Sequence, residues 1–351
     1  MTLSQIALVT RSFWPNAGNS ELGAINLLTQ LRGIGAQTTV FTSQWDNSWS
    51  RKLDFAENEV LRIPRTSGGA WASSRYVKAL SAALGNLQQR FDSILVFGWL
   101  EEVDAALKAR KAGIAEQVVL RVDSTTLRRY QMQSGHRRKF ANLANQVDVI
   151  AYANHEISNC FRGKLVNGSQ LQVIPDCLMP LPFEHELGPH SKTQMREAVS
   201  DIHPLMMVNR NDIVGVHYTS FENDSSLSCL IDAWSHVAHR FPMAKLWIVG
   251  DGPQARASWE QINSLGLVDQ VVMVGNFDTP IDPLLIADFY VHPESDLSFD
   301  FALRQSAMLE LPLVIRNAES TPKWFRRSTW YRGRRFVVAF TCVRHHGFDR
   351  K

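Results

Sequence analysis

Apolar residues in this 351-residue chain follow two rhythms. Short unbroken runs, such as residues 6–9, 94–97 and 246–249, alternate with longer stretches in which Leu, Ile and Val return every three or four positions. The first rhythm suits strands buried on both faces; the second suits helices with one apolar stripe. Residues 245–276, KLWIVGDGPQARASWEQINSLGLVDQVVMVGN, show the pattern most plainly. A strand at 246–249 breaks at Gly250-Asp251-Gly252-Pro253, where glycine permits positive φ and proline fits a first helical turn. The spacing predicts a helix with Trp259, Ile262 and Leu265 on one face, stopping near Gly266. A second strand at 271–274 is closed by Gly275. Such a βαβ unit has parallel strands and a right-handed crossover.

The alternation extends along the chain. Strands are predicted at 6–9, 38–42, 94–97, 118–122, 147–151 and 171–174. Between them lie a helix carrying Leu22, Ile25, Leu28 and Leu31, capped by Asn19 or Ser20, and helices near 77–87 and 102–111. Residues 179–190 hold four prolines or glycines and read as a linker. A short helix at 195–199, a strand at 213–218 and a helix through Leu227, Leu230, Ile231 and Trp234 follow. The fold class is α/β with parallel sheets in two Rossmann-like domains. Their predicted bounds are 1–178 and 193–320, with a linker at 179–192 and an atypical tail at 321–351.

A strand that ends in a glycine turn and opens a helix leaves backbone N–H groups and the helix dipole for a phosphate or sugar ligand. Gly250, Asp251 and Gly252, with Asn276 after the next strand, are candidates on that ground; a structural turn is the plainer reading. Gly18 lies with Pro15 in the loop after the first strand, where a plain turn between strand and helix is the simplest reading. Asp123 ends the strand at 118–122, on the side where parallel sheets bind ligands. It is a candidate to orient or deprotonate an acceptor hydroxyl, or simply a capping aspartate. Trp45 and Trp49 follow the second strand and fit either sugar stacking or core packing.

Composition narrows the classes. An apolar fraction of 45% is ordinary for a globular protein. No apolar run reaches membrane-spanning length, and the first residues lack the basic start of a signal peptide. The four cysteines are scattered with no CxxC pair, which suits a reducing cytoplasm and argues against a zinc site. The net charge of +3 is uneven: residues 323–351 carry nine Lys or Arg against one acid, so the remainder is net acidic. Arg128, Arg129, Arg137, Arg138 and Lys139 form a second basic cluster. It reads as a solvated helix face or as a peripheral contact with an anionic membrane. No nucleic-acid partner is expected.

The ordered motifs LWIVGDGP, VVMVGN, LLIADFYVHPES and AMLELPLVI resemble the C-terminal domain of glycosyltransferase family 4, the group 1 glycosyltransferases. The resemblance covers residues 211–315 closely and 6–174 loosely, and ends near Ala318. It implies a GT-B fold, with two Rossmann-like domains facing across a cleft and the second shortened at its C-terminus. It also implies a cytoplasmic, retaining transferase that moves a sugar from a nucleotide-sugar donor to an acceptor hydroxyl, with no metal or cofactor. The acceptor is unspecified: a glycan, a lipid or a small glycoside. Donor contacts carried over by position fall on Gly18, Ser220, Ser225, Ser298, Phe299 and Gln305.

Several of these positions depart from the family pattern. Ser220 and Ser225 stand where relatives hold an Arg and a Lys that meet the diphosphate. Leu297 replaces a glutamate, Asp300 a glycine, and one glycine of the pair at Gly18 is missing. The resemblance therefore also fits a catalytically impaired binding protein, or a truncated or frameshifted product. A nucleotide-sugar epimerase of the same fold is a more distant alternative.

Overall fold

The computed structural model describes residues 4–15, 19–64, 71–87, 89–123, 126–127, 129–130, 133–152, 170–174, 189–219, 221, 225–277, 281–293, 301–316 and 337–340. The chain divides into two compact units, Met1–Met179 and Pro180–Lys351.

The first unit runs β1 (Gln5–Thr10), α1 (Asn19–Gly33), β2 (Gln37–Gln44), β3 (Lys52–Phe55), β4 (Asn58–Pro64), α2 (Ala72–Asn86), β5 (Phe91–Phe97), α3 (Leu100–Lys111), β6 (Ala115–Val122), α4 (Ser134–Ala144), β7 (Val149–Tyr152) and β8 (Leu171–Val173). Its sheet has the order β3-β4-β2-β1-β5-β6-β7-β8. Ala7, Leu8 and Val9 of β1 are fully buried, as expected of a strand with neighbours on both sides and helices on both faces. Leu80 and Leu84 of α2, Val103 of α3 and Phe140 of α4 pack in the same core as Phe91, Val96 and Val118.

One hairpin departs from the predicted parallel pattern. β3 pairs antiparallel with β4 at the sheet edge. Its turn residues, Ala56 and Glu57, both have positive φ, at 47° and 61°. Such turns usually use Asn-Gly. Here side chains supply the support: Asp54 accepts the Glu57 N–H at 3.0 Å, and the Asn58 amide donates to the Ala56 carbonyl at 2.8 Å.

The second unit runs α5 (Pro189–Ile202), a 3₁₀ turn (Pro204–Met206), β9 (Ile213–Tyr218), α6 (Ser225–Arg240), β10 (Ala244–Val249), α7 (Ala255–Ser264), β11 (Val271–Gly275), α8 (Asp282–Ile286), β12 (Phe289–His292), α9 (Phe301–Met308), β13 (Leu313–Arg316) and β14 (Val337–Phe340). The sheet order is β11-β10-β9-β12-β13-β14, and every pair is parallel. Leu230, Ile231 and Trp234 of α6 pack over Leu246, Ile248 and Ile262.

α5 starts inside the stretch predicted as linker and is longer than the predicted helix at 195–199. Asp288, just before β12, holds it. Its carboxylate accepts Lys192 Nζ and Arg196 Nη2, each at 2.8 Å, and the Val214 N–H at 2.7 Å. Partial burial works to raise the Asp288 pKa, but these three donors outweigh it and leave the pKa lowered.

Three further expectations change. On α7, Trp259 and Leu265 are exposed, while Ser258 and Ile262 are buried. Steps of three residues drift around a helix of 3.6 per turn, so positions 259, 262 and 265 span more than one face. Within the tail, the single strand that residues 336–343 could make is present as β14, which pairs in parallel with β13, Leu313 opposite Val337 and Arg316 opposite Phe340; what changes is that the sheet continues past the point where the motifs end. Cys229 on α6 is disulfide-bonded, which the reading of scattered cysteines in a reducing compartment did not anticipate. No helix among the described residues is long and apolar enough to cross a membrane.

Candidate functional site

In the second unit, the candidate residues gather at the carboxyl ends of β9, β10 and β11. Gly250 follows β10 with φ at +130°, and a Cβ built there would lie 1.8 Å from the Thr219 carbonyl oxygen. Only glycine lets these two loops touch. The contact is knitted by backbone bonds. The Gly250 N–H donates to Gly275 O at 2.8 Å, Thr219 N–H to Val249 O at 2.9 Å, and Gln254 N–H to Phe221 O at 2.8 Å. Phe221 is fully buried with φ at +46° and donates its N–H to Thr219 Oγ1 at 3.2 Å.

The same bonds limit what the turn offers a ligand. The N–H groups of Gly250, Gln254 and Ala255 go to backbone carbonyls, and that of Gly252 goes to Asp251 Oδ1 at 2.7 Å. Pro253 has none. The anion-binding nest expected from the sequence is therefore largely satisfied from within. Asn276 lies beside the turn, next to Gly275, and its buried Oδ1 has no hydrogen-bond partner. Gln305 is on α9 with no exposed surface, so its amide reaches a ribose hydroxyl only if the packing around α9 shifts. Ser225 is the first residue of α6. Gly18, Arg128, Ser220, Leu297, Ser298, Phe299 and Asp300 lie outside the described residues.

In the first unit, a charged network occupies the carboxyl ends of β1, β2 and β5. Arg11, directly after β1, pairs with Glu101 through Nη2 at 2.9 Å and with Glu102 through Nε at 2.5 Å. Its guanidinium carbon lies 4.4 Å from the Tyr76 ring centroid. Ser73 donates to Glu101 at 2.7 Å, Ser43 to the Tyr76 hydroxyl at 2.9 Å, and the Trp99 N–H to the fully buried Glu102 at 3.0 Å. Burial alone lowers the Arg11 pKa; Glu102, Tyr76 and Glu101 outweigh it, and the net shift is upward. Burial pushes the Tyr76 phenol well above its usual range, with Glu102 adding to the rise. Glu101 is raised by burial but held below the usual carboxylate range by Ser73 and Arg11 together. Arg11 is thus a permanent cation gripped by two anions.

The sequence did not single out this network. Arg11 and Glu101 are 90 residues apart, and paired acids in a first helical turn are commonplace.

Asp123 sits elsewhere on the same sheet end. Its carboxylate accepts the hydroxyl of Ser20, in the first turn of α1, and the Thr126 N–H at 2.7 Å. One oxygen thus caps the local turn at 123–126, while the other bonds to α1 from across the unit. Of the basic cluster, Arg137 donates Nε to Tyr130 O at 2.6 Å and lies over that ring, while Arg138 and Lys139 are exposed on α4. The two candidate tryptophans also differ. The Arg62 guanidinium covers Trp49 at 4.9 Å from the ring centroid, and Arg62 also donates to Trp14 O and Ser50 O, each at 3.0 Å. Trp45 is 40% exposed, and its indole N–H donates to Arg11 O at 3.0 Å.

Residues 213–333 match the model of the family described as glycosyl transferases group 1. The match runs past Ala318, where the motif resemblance ends, into the basic tail. No curated protein matches the chain in sequence. Among solved structures, HepE of Anabaena in complex with UDP and glucose is similar at a TM-score of 0.67 and 16% identity, over 96% of this chain and 85% of that one. Sucrose-phosphate synthase from Thermosynechococcus elongatus gives 0.67 and 14%, over 97% and 86%. WaaG, a glycosyltransferase involved in lipopolysaccharide biosynthesis, gives 0.66 and 12%, over 96% and 86%. At these identities the likeness concerns the fold, which is of the GT-B type.

Proposed function

We propose that this protein is a retaining glycosyltransferase that moves a sugar from a nucleotide-sugar donor to an acceptor hydroxyl. The match at 213–333 carries the reading, because it takes in the Gly250 turn and the strands around it. Departure of the nucleoside diphosphate builds negative charge, which donors fixed beforehand must stabilise. In this reading the start of α6 meets that charge without a metal. Asn276 Oδ1 is the acceptor left open for the nucleotide. Exposed Arg138 and Lys139 give α4 a face for anionic lipid.

A second reading has specific support. Gln305 is wholly buried, the turn at Gly250 satisfies most of its own N–H groups, and serines stand where relatives carry Arg and Lys. These features suit a GT-B-like binding protein without turnover, or the product of a decaying gene.

Calorimetric titration with UDP, GDP, UDP-glucose and GDP-mannose, followed by anomer-resolved NMR of released sugar, separates the readings. Saturable binding with slow release of a sugar of unchanged anomeric configuration is the expected result. Binding without turnover favours the second reading. A folded sample that ignores every nucleotide sinks both ligand-binding readings. Combining Ser220→Arg with Ser225→Lys tightens UDP binding by about tenfold or more if these serines face the diphosphate.

A further inference from the structure

One surface of the second unit takes no part in either reading above. The candidate site occupies the carboxyl ends of β9, β10 and β11; the amino ends of the same strands carry an apolar rim. Ile213 opens β9, Phe241 and Met243 lead from α6 into β10, and Leu265 and Val268 lead from α7 towards β11. These five residues are between 41% and 58% exposed. A lone exposed apolar side chain is ordinary; five on adjoining loops mark a surface that something covers. Main-chain bonds hold the loops side by side. The Ile213 N–H donates to Met243 O at 3.0 Å, Ala244 N–H to Phe241 O at 2.9 Å and Leu246 N–H to Gln270 O at 2.7 Å. The Lys245 ammonium adds a bond to Asp269 O at 2.6 Å. The rim is therefore built into the fold.

The charges around the rim indicate its partner. Arg240 closes α6, and its guanidinium carbon lies 5.8 Å from the Phe241 ring centroid. A cation beside an aromatic ring keeps its head in a polar layer while the ring enters an apolar one. Arg210, in the turn before β9, is exposed, and Lys245 is half-buried. Of the acids at this end, Asp288 is taken up by Lys192 and Arg196, and Asp212 is buried and accepts the Asn209 N–H at 2.8 Å. Asp269 is exposed. The rim thus carries a cationic excess. A second copy packed rim to rim would set that excess against itself. A bilayer with anionic headgroups suits both features, phosphates for the cations and acyl chains for Phe241 and Met243.

We propose that the amino end of this sheet docks the protein on an anionic phospholipid bilayer, with Phe241 and Met243 entering the interface and Arg210, Arg240 and Lys245 meeting headgroup phosphates. The surface is separate from that of α4 and does not depend on the transferase reading. It has a geometric consequence. β9 and β10 have six residues each, a length of about 20 Å. The Gly250 turn at their other ends is held that far from the lipid, towards the aqueous side.

The test floats the full-length protein with vesicles of phosphatidylcholine alone, or of phosphatidylcholine mixed equally with phosphatidylglycerol. Binding to the mixed vesicles, weakening as salt rises, is the expected result. Phe241→Ser combined with Met243→Ser weakens it by about tenfold or more. Arg240→Gln weakens it by about fivefold, and Arg138→Gln combined with Lys139→Gln on α4 leaves it within about threefold. Thermal melts check the fold of each variant. Hydrogen exchange with vesicles shows added protection at 240–244 and 265–270 and none at 134–144. Absence of vesicle binding, binding that survives in the folded Phe241/Met243 double variant, or binding lost only with the α4 pair overturns the proposal. So does a dimer in sedimentation velocity that the double variant dissolves, because a second copy would then cover the rim. The nucleotide titration stays independent: a protein that floats with the mixed vesicles but ignores every nucleotide keeps the docking surface and loses the transferase reading.

Discussion

The two sheets present opposite constructions at their carboxyl ends. In the first unit, side chains do the joining: Arg11, Glu101, Glu102, Tyr76, Ser43 and Ser73 link two strands and two helices through charge and hydroxyls. In the second, the backbone does it: Gly250 lets the loops after β9, β10 and β11 close on one another through main-chain bonds. A side-chain network keeps spare hydrogen-bonding capacity at its rim. A backbone knot uses its capacity up. The contrast sets a joint of charge and hydroxyls in the first unit against a main-chain lock in the second.

The strongest way to break this comparison is Gly250→Ala. A methyl group 1.8 Å from a carbonyl oxygen, at a φ closed to alanine, forces the loops apart. The expected loss is about 3 kcal/mol or more in urea unfolding. Hydrogen exchange should speed up on β9 and β10 and stay unchanged on β1 and β5. A variant as stable as wild type would show that the loops are not locked by their main chains.

Glu102→Ala probes the other construction. It removes one of the two anions that hold Arg11 and the acceptor of the Trp99 N–H. Because Arg11 keeps Glu101 and some contact with water, the expected cost is about 2 kcal/mol, below that of a fully buried orphan charge. Protection should fall first at β5 and α3. An unchanged melting curve would mean that the network is ornamental to the fold.

Asp288→Asn gives the smallest effect, about 1 kcal/mol at neutral pH, since the cluster is partly solvated. The pH dependence is more telling. Asp288 has a lowered pKa in the folded state, so its contribution is complete above the usual value of 3.8 and fades as the pH falls through the lower folded value. Wild type should therefore lose stability on acidification into that range more steeply than the variant. Equal slopes would remove Asp288 as the anchor of α5.

What could be read from the sequence followed from how each element is stabilised. β9 and β10 are runs buried along most of their length, and their pattern needs no partner to be recognised. The β3–β4 hairpin gave little sign of itself, because its turn is Ala-Glu and its support comes from Asp54 and Asn58 rather than from glycine. The exposed side of α7 was misread because spacings of three were treated as a full period. At the candidate sites, Gly250 stood out because glycine after a strand has a specific geometric meaning. The Arg11 network did not, because its members come from separate strands and helices and only folding brings them together. The burial of Gln305 was equally hidden, since a polar residue in a short amphipathic helix reads as surface until its surroundings are known.

The tight seat of Gly250 also bears on how the gene can change. Every single-nucleotide substitution that turns a glycine codon into another amino acid adds a Cβ. All such missense changes at this codon would meet the same carbonyl oxygen. Selection for a foldable product alone would therefore keep glycine here, in an active enzyme and in a lineage that has lost turnover alike. Its presence attests to a protein that must fold, and the record of catalysis has to be sought at codons whose side chains can vary without cost to the fold.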